Sequence, residues 1–182
     1  MGNVWLVRHA QTSRVGVCYG QSDVAVQLGA QDAARSIASQ WERTGQGDPP
    51  ELWTSPWLRT RSVGMELARQ WRVSCRVDAR LSELCFGAWE GREYAEIARN
   101  DPDRWQQWTQ NYQHSAPPEG ETVEQLRARV AEWLDERKGG TADVLAITHA
   151  GVMRTARAVI EQLPYAAVVA TAVPYLQLER FI

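Results

Sequence analysis

Short apolar runs alternate with amphipathic stretches along this chain. Val4-Trp5-Leu6-Val7 predicts a buried strand, because four consecutive apolar residues leave no polar face and two of them are β-branched. Thr12 to Val26 has no clean period, is punctuated by Gly16 and Gly20, and predicts a loop folding over the end of that strand. Ala30, Ala34, Ile37 and Trp41 share one helical face, predicting a helix from Ala30 to Arg43. After the breakers of Gly45 to Pro50, Glu51-Leu52-Trp53-Thr54 predicts a second strand. Ser55-Pro56 predicts a helix start, with Ser as N-cap, Pro at the first helical position, and Val63, Leu67 and Trp71 on the apolar face. Val73 to Val77 alternates as a strand and leads to Leu81-Ser82-Glu83.

Gly91 to Tyr112 is polar, helical and aromatic, with Trp105, Trp108 and Tyr112 on one face. It reads equally as a helix packed on the body or as a lid over a site. Ser115 to Gly120 is a Pro-rich loop, and Thr122 with Gln125 forms a capping-box pattern. The helix it opens carries Val123, Leu126, Val130, Trp133 and Leu134 on one face and ends at Gly139-Gly140. Val144 to Thr148 is another buried strand, followed by a helix from Val152 to Leu163, and Tyr175 to Phe181 alternates as the last strand. Alternating strands and helices predict a single α/β domain over residues 1–182, with a largely parallel sheet covered on both faces.

Two of those strands end in the same unusual way. The first runs into Arg8-His9 and the later one into Thr148-His149-Ala150-Gly151. Ligands of open α/β sheets bind at the carboxyl ends of strands. A single histidine there would most simply bond to backbone. Two histidines at two strand ends, one beside an arginine, point to a site.

Composition narrows the chemistry. A net charge of −2 supplies no field for nucleic acid or an anionic membrane. Cys18, Cys75 and Cys85 are odd in number and lack C-x-x-C spacing, so we expect reduced, structural thiols, a cytoplasmic setting and no metal site. No signal peptide is expected, since the first strand begins almost at Met1, and Ala166 to Val173 is too short to span a bilayer. Nine tryptophans are many, and most are expected in the core. Nothing in the pattern indicates an oligomeric state.

The stretch Leu6-Val7-Arg8-His9-Ala10-Gln11-Thr12 resembles the signature of the histidine phosphatase superfamily, the phosphoglycerate mutase-like proteins. Further pieces follow in family order: Ser55 to Arg59, Leu81-Ser82-Glu83, Phe86 to Gly91, Gly120-Glu121-Thr122, and Thr148 to Gly151. The resemblance implies a three-layer α/β/α sandwich and a metal-independent, cofactor-free phosphatase acting on a small-molecule phosphate monoester. It makes His9 the residue that becomes phosphohistidine, with Ala10 in place of the usual Gly. It makes Arg8, Arg59 and His149 the phosphate ligands, Arg and carboxylate or phosphate being matched donor and acceptor forks. Arg61 is left as a surface residue, Thr148 as a strand residue and His114 as a bystander. Arg8 beside His9 biases the imidazole toward its neutral, nucleophilic form. Gly151 would let the following helix begin close to the anion.

Glu83 is implied as the acid that protonates the leaving group and then activates water. Apolar neighbours or an incoming phosphate dianion favour the protonated carboxyl. Glu90 and Glu121 are expected to be structural. The segments Gly16 to Asp23 and Phe86 to Gly91 look most like the α-ribazole phosphatase branch, with Tyr19, Gly20, Gln21 and Trp89 as candidate substrate-binding residues. Tyr19, Trp89 and Trp105 or Trp108 would offer flat walls to a benzimidazole. Mutases of the superfamily carry Asn where Val15 falls, Tyr where Phe86 falls, and an extra basic segment absent here. The competing readings are a broad phosphomonoesterase, a mutase-like enzyme and a non-catalytic phospho-ligand binder.

Overall fold

The computed structural model describes residues 2–182. Its strands are β1 (Val4–Arg8), β2 (Glu51–Thr54), β3 (Cys75–Val77), β4 (Val144–Thr148) and β5 (Leu178–Arg180). Its helices are α1 (Ala30–Arg43), α2 (Leu58–Trp71), α3 (Tyr94–Asn100), α4 (Pro102–Asn111), α5 (Val123–Asp135) and α6 (Ala150–Ile160). The strands form one sheet in the order β3-β2-β4-β1-β5, parallel except for β5, which runs antiparallel along β1 at the edge.

Side-chain alternation along the central strands builds two cores. Val4, Leu6, Val144 and Ala146 pack with Leu126, Val130 and Trp133 of α5 and with Met153 and Ala156 of α6. Val7, Leu145 and Ile147 face the opposite way, onto Ala34 and Ile37 of α1 and Val63 and Leu67 of α2. That is the expected α/β/α sandwich, and it explains why β4 is apolar at nearly every position: both of its faces are covered. α5 opens with the capping box as read: Thr122 Oγ1 accepts from Gln125 N at 3.2 Å, and Gln125 Oε1 accepts from Thr122 N at 2.8 Å. No helix among the described residues is long and apolar enough to cross a membrane.

Several boundaries differ from the sequence reading. α2 begins at Leu58, with Trp57 rather than Ser55 at its N-cap. Ser55 instead extends the sheet, its N–H donating to Ile147 O at 3.2 Å, and its hydroxyl is engaged elsewhere. The free N–H of Leu58 is met from a distance, by Asp23 Oδ1 at 2.7 Å. The Gly91 to Tyr112 stretch is two helices, broken at Asp101-Pro102, because proline disfavours helical geometry in the residue before it. α6 starts earlier, at Ala150, and ends at Ile160. β3 and β5 are shorter than predicted, and Tyr175 forms only an isolated bridge with Arg8. The Trp105 and Trp108 face packs on the body, against Trp89 and Phe86, in a satellite cluster with Cys18 and Ile97.

Candidate active site

Register brings the two histidines together. Arg8 pairs with Thr148 across the parallel β1–β4 ladder, and His9 N donates to Thr148 O at 3.0 Å. The rings of His9 and His149 therefore meet edge to face, with centroids 5.2 Å apart. The adjacency depends on sheet order, since the strands lie 140 residues apart in sequence.

The tautomer of His9 follows from its neighbour. Its Nδ1 lies 2.7 Å from Ala10 O, and a carbonyl can only accept, so Nδ1 carries the proton and Nε2 keeps its lone pair. His9 is 3% exposed. Burial, more than any neighbour, pulls its pKa down to about 3, with the cations of Arg59 and Arg8 adding to the effect and the Ala10 contact opposing it. The adjacent arginine, expected from sequence as the cause, is secondary. His149 is fully buried and is also held well below its ordinary value, again by burial first. Its Nε2 pairs with Ser55 Oγ at 2.7 Å, while Nδ1 has no partner.

Depressed histidine pKa values imply a pH-dependent stability. As pH falls below about 6.5 the unfolded histidines take up protons that the folded ones refuse, so stability present above that value is lost on acidification. The loss should continue toward pH 3 for His9, with a slope approaching about 1.4 kcal/mol per pH unit for each histidine. Urea unfolding at intervals from pH 7 to 5 measures this, and a flat profile over that range would contradict the assignment of two buried neutral imidazoles.

Arg8 and Arg59 are both anchored through their terminal nitrogens. Arg8 Nη1 donates to Val173 O at 2.8 Å and Nη2 to Tyr175 Oη at 3.0 Å, with the guanidinium 3.7 Å above the Tyr175 ring. Arg59 is 2% exposed, and its Nη1 and Nη2 donate to Ser22 O and Gly20 O. The Nε of each is buried without a partner. A buried N–H left unsatisfied costs about 1–3 kcal/mol. Two such donors on two cations beside a neutral imidazole suit an anion.

The charge of Glu83 reaches both of these arginines. Its Oε2 accepts from Gly151 N at 3.1 Å and its Oε1 from Leu84 N at 3.0 Å. The segment carrying it is clamped from behind by Arg129 of α5, which donates to the carbonyls of Arg80, Ser82 and Glu83 and forms a two-pronged pair with Glu121. Gly151 has a role beside the one read in sequence. A Cβ there would stand 2.1 Å from Glu83 Oε1, so its bare backbone admits the carboxylate.

A cleft of about 270 Å³ opens over Arg8 and Glu83, walled by Tyr19, Phe86, Tyr94, Tyr165 and Tyr175. Three of the four substrate-binding candidates do not line it. Trp89 is 1% exposed and belongs to the satellite core, where a large indole is better buried than lining water. Gly20 and Gln21 lie behind the site, Gly20 O holding Arg59 and Gln21 Nε2 donating to Glu83 O at 3.0 Å. Only Tyr19 reaches the cleft. Sequence reading missed Ser55, Tyr94, Tyr165 and Tyr175. Tyr175 had a signal, in that it opens an alternating stretch, but the long reach from Arg8 carried none. As expected, Arg61 is exposed, and His114 sits on the surface, 3.0 Å from Glu124. Among the described residues no group of three or more His, Cys, Asp or Glu side chains is placed to hold a metal ion.

A three-layer α/β/α fold whose central strands end in two buried histidines and flanking arginines defines a phosphate-handling protein of the phosphoglycerate mutase-like kind. The profile of the histidine phosphatase superfamily (branch 1) matches residues 4–181, and the chain belongs to that superfamily. It is 35% identical to a bifunctional protein of Mycobacterium tuberculosis over 98 residues, covering 53% of this chain but only 27% of that one. It is 29% identical over 80 residues to the adenosylcobalamin/α-ribazole phosphatase of Escherichia coli, 40% of this chain and 37% of the relative. With the glucosyl-3-phosphoglycerate phosphatase of Mycobacterium tuberculosis it shares 27% identity over 171 residues, 88% of this chain and 76% of the relative. The crystal structure of the α-ribazole phosphatase of Shigella flexneri has the same fold, with a TM-score of 0.85 at 19% identity over 98% of this chain and 89% of that one.

Proposed function

We propose that this protein hydrolyses phosphate monoesters through a phosphohistidine at His9, with no metal ion, and that α-ribazole 5′-phosphate is the substrate its cleft fits best. The observation that carries the reaction is the unprotonated Nε2 of His9, buried within range of the charges of Arg59 and Arg8, which the Glu83 carboxylate also reaches. In the first half-reaction Nε2 forms a bond to phosphorus and the ester P–O bond breaks. The leaving alkoxide takes its proton from the Glu83 carboxyl. In the second, the Glu83 carboxylate takes a proton from water as the water oxygen bonds to phosphorus. The P–N bond then breaks, releasing phosphate and restoring His9. Arg8, Arg59 and His149 Nδ1–H stabilise charge on the equatorial oxygens, the role metal ions fill in other phosphoryl-transfer sites. Ser55, donating to His149 Nε2, would leave that Nδ1–H free to point at the anion.

Support for the substrate comes from the aromatic walls of the cleft. Tyr19, Phe86, Tyr94, Tyr165 and Tyr175 suit a flat, apolar base far better than a small polar acid. The Escherichia coli relative is named for α-ribazole. A second reading rests on Arg14 and Arg154, which line the same cleft and would favour a leaving group carrying a carboxylate. The glucosyl-3-phosphoglycerate phosphatase relative keeps it open.

A panel measured in excess EDTA tests the hydrolysis, its independence of metal and the substrate: α-ribazole 5′-phosphate, a nucleoside 5′-monophosphate, a sugar phosphate, and 3-phosphoglycerate. We expect full activity without metal and the highest kcat/KM for α-ribazole 5′-phosphate. Activity restored only by Mg²⁺ or Zn²⁺ would contradict the roles of Arg8 and Arg59. Preference for 3-phosphoglycerate would move the assignment to the second reading.

A further inference from the structure

The carboxylate of Glu90 does not line the cleft, yet it sits at the centre of the contacts that fix Arg59, whose charge acts on His9. Its Oε1 accepts from Gln21 N at 2.8 Å and Phe86 N at 3.2 Å, and its Oε2 accepts from Ser22 Oγ. Among the described residues it forms no ion pair within 4.0 Å; its contacts are two backbone amides and one hydroxyl. The loop held in this way presents Gly20 O and Ser22 O to Arg59, which spends Nη2 and Nη1 on them at 2.5 and 2.6 Å. With one N–H of each terminal nitrogen committed, the orientation of the guanidinium is fixed, and its Nε–H is without a partner. The same loop sends Gln21 Nε2 to Glu83 O at 3.0 Å. It lies so close to the acid segment that a Cβ at Gly20 would stand 1.8 Å from Leu84 O.

We propose that Glu90 is a positioning residue for phosphate recognition: by gathering Gln21 N, Ser22 Oγ and Phe86 N it locks the Gly20–Ser22 carbonyls that aim Arg59. It touches no reacting atom, and this role rests on the phosphatase reading given above. Its negative charge also offsets part of the burial of the Arg59 cation, alongside Glu83 and Asp23. An ionised carboxylate suits the position because it accepts on both oxygens. Glutamine retains one accepting oxygen, whereas alanine leaves two amides and a hydroxyl without their acceptor.

The test measures kcat/KM for p-nitrophenyl phosphate, the inhibition constant of vanadate and the Tm for the wild type and for Glu90→Ala, Glu90→Gln and Ser22→Ala. Each substitution is also made on an Arg59→Ala background. A guanidinium displaced by about 1 Å should lower kcat/KM and weaken vanadate by about 10- to 100-fold in Glu90→Ala, with most of the loss recovered in Glu90→Gln. On the Arg59→Ala background the same substitution should cost no more than about twofold, because a residue acting through Arg59 has nothing left to aim. Undiminished loss on that background, or wild-type vanadate binding in Glu90→Ala, overturns the proposal. If Glu90→Ala does not fold, Ser22→Ala decides: a loss that vanishes without Arg59 supports it, and full activity overturns it. A wild type that neither turns over p-nitrophenyl phosphate nor binds vanadate removes the phosphatase reading and this role together. An active wild type with unaffected Glu90 variants removes this role alone.

Discussion

His9→Ala is expected to abolish turnover and phosphoryl labelling together, with a loss of about 10⁶-fold, the scale of removing a covalent nucleophile. The expectation rests on the geometry of a single ring. Its Nδ1 is tied to Ala10 O, its Nε2 is unprotonated, and burial holds its pKa at about 3, so the neutral form persists across the whole working range. His149 cannot substitute, because its Nε2 is engaged by Ser55 and its ring is fully buried. Rapid acid-free quenching with labelled substrate would show base-stable, acid-labile phosphate on the wild type and none on the variant. Label still trapped on His9→Ala would sink the assignment. The substitution also removes a buried imidazole, so circular dichroism should accompany the assay to show that the sheet survives.

Gly151→Ala is expected to damage the acid without damaging the fold. The added methyl would stand 2.1 Å from Glu83 Oε1, which is the movable end of a side chain, so the carboxylate swings away and the helix stays. Alanine is the better helix former by up to about 1 kcal/mol, so Tm should hold or rise. Catalysis should fall by about 10²- to 10³-fold for alkyl phosphates, whose alkoxides need a proton, but by less than about tenfold for p-nitrophenyl phosphate, whose leaving group needs little help. Glu83→Gln should show the same contrast, and the double variant should be little worse than Glu83→Gln alone. Equal slowing of both substrate types by Gly151→Ala would mean that the methyl disturbs phosphate binding rather than the acid. That outcome would return Gly151 to the anion-approach role read from the sequence.

Much of the candidate site is legible in the sequence. Arg8, His9, Arg59, Glu83 and His149 stand in short motifs, because a strand end or a capped turn is a local event written in contiguous residues. The α/β class was legible for the same reason: periods of two and of 3.6 report local geometry, and they located α1, β2 and the capped start of α5.

What the pattern could not carry was everything decided between distant segments. The Ser55-Pro56 cap failed because Ser55 is claimed by His149, 94 residues away, and the N-terminus of α2 is met by Asp23 instead. Trp89 looked like a pocket wall because its motif lies beside the site in sequence. A satellite core of Cys18, Ile97, Trp105 and Trp108 draws it inward, since burying an indole stabilises more than exposing it to a polar cleft. The aromatic walls that replace it come from Tyr94, Tyr165 and Tyr175, none of which the motifs marked.

The sequence by itself determined the fold class and singled out the candidate site residues. Only the tertiary structure decided their chemistry: which nitrogen of His9 is free, why it stays neutral, and what orients each arginine. Those properties depend on desolvation and on hydrogen bonds closed across long stretches of chain. Both are set by the parallel register of β1 on β4 and by the loops packed over their ends, rather than by any local period.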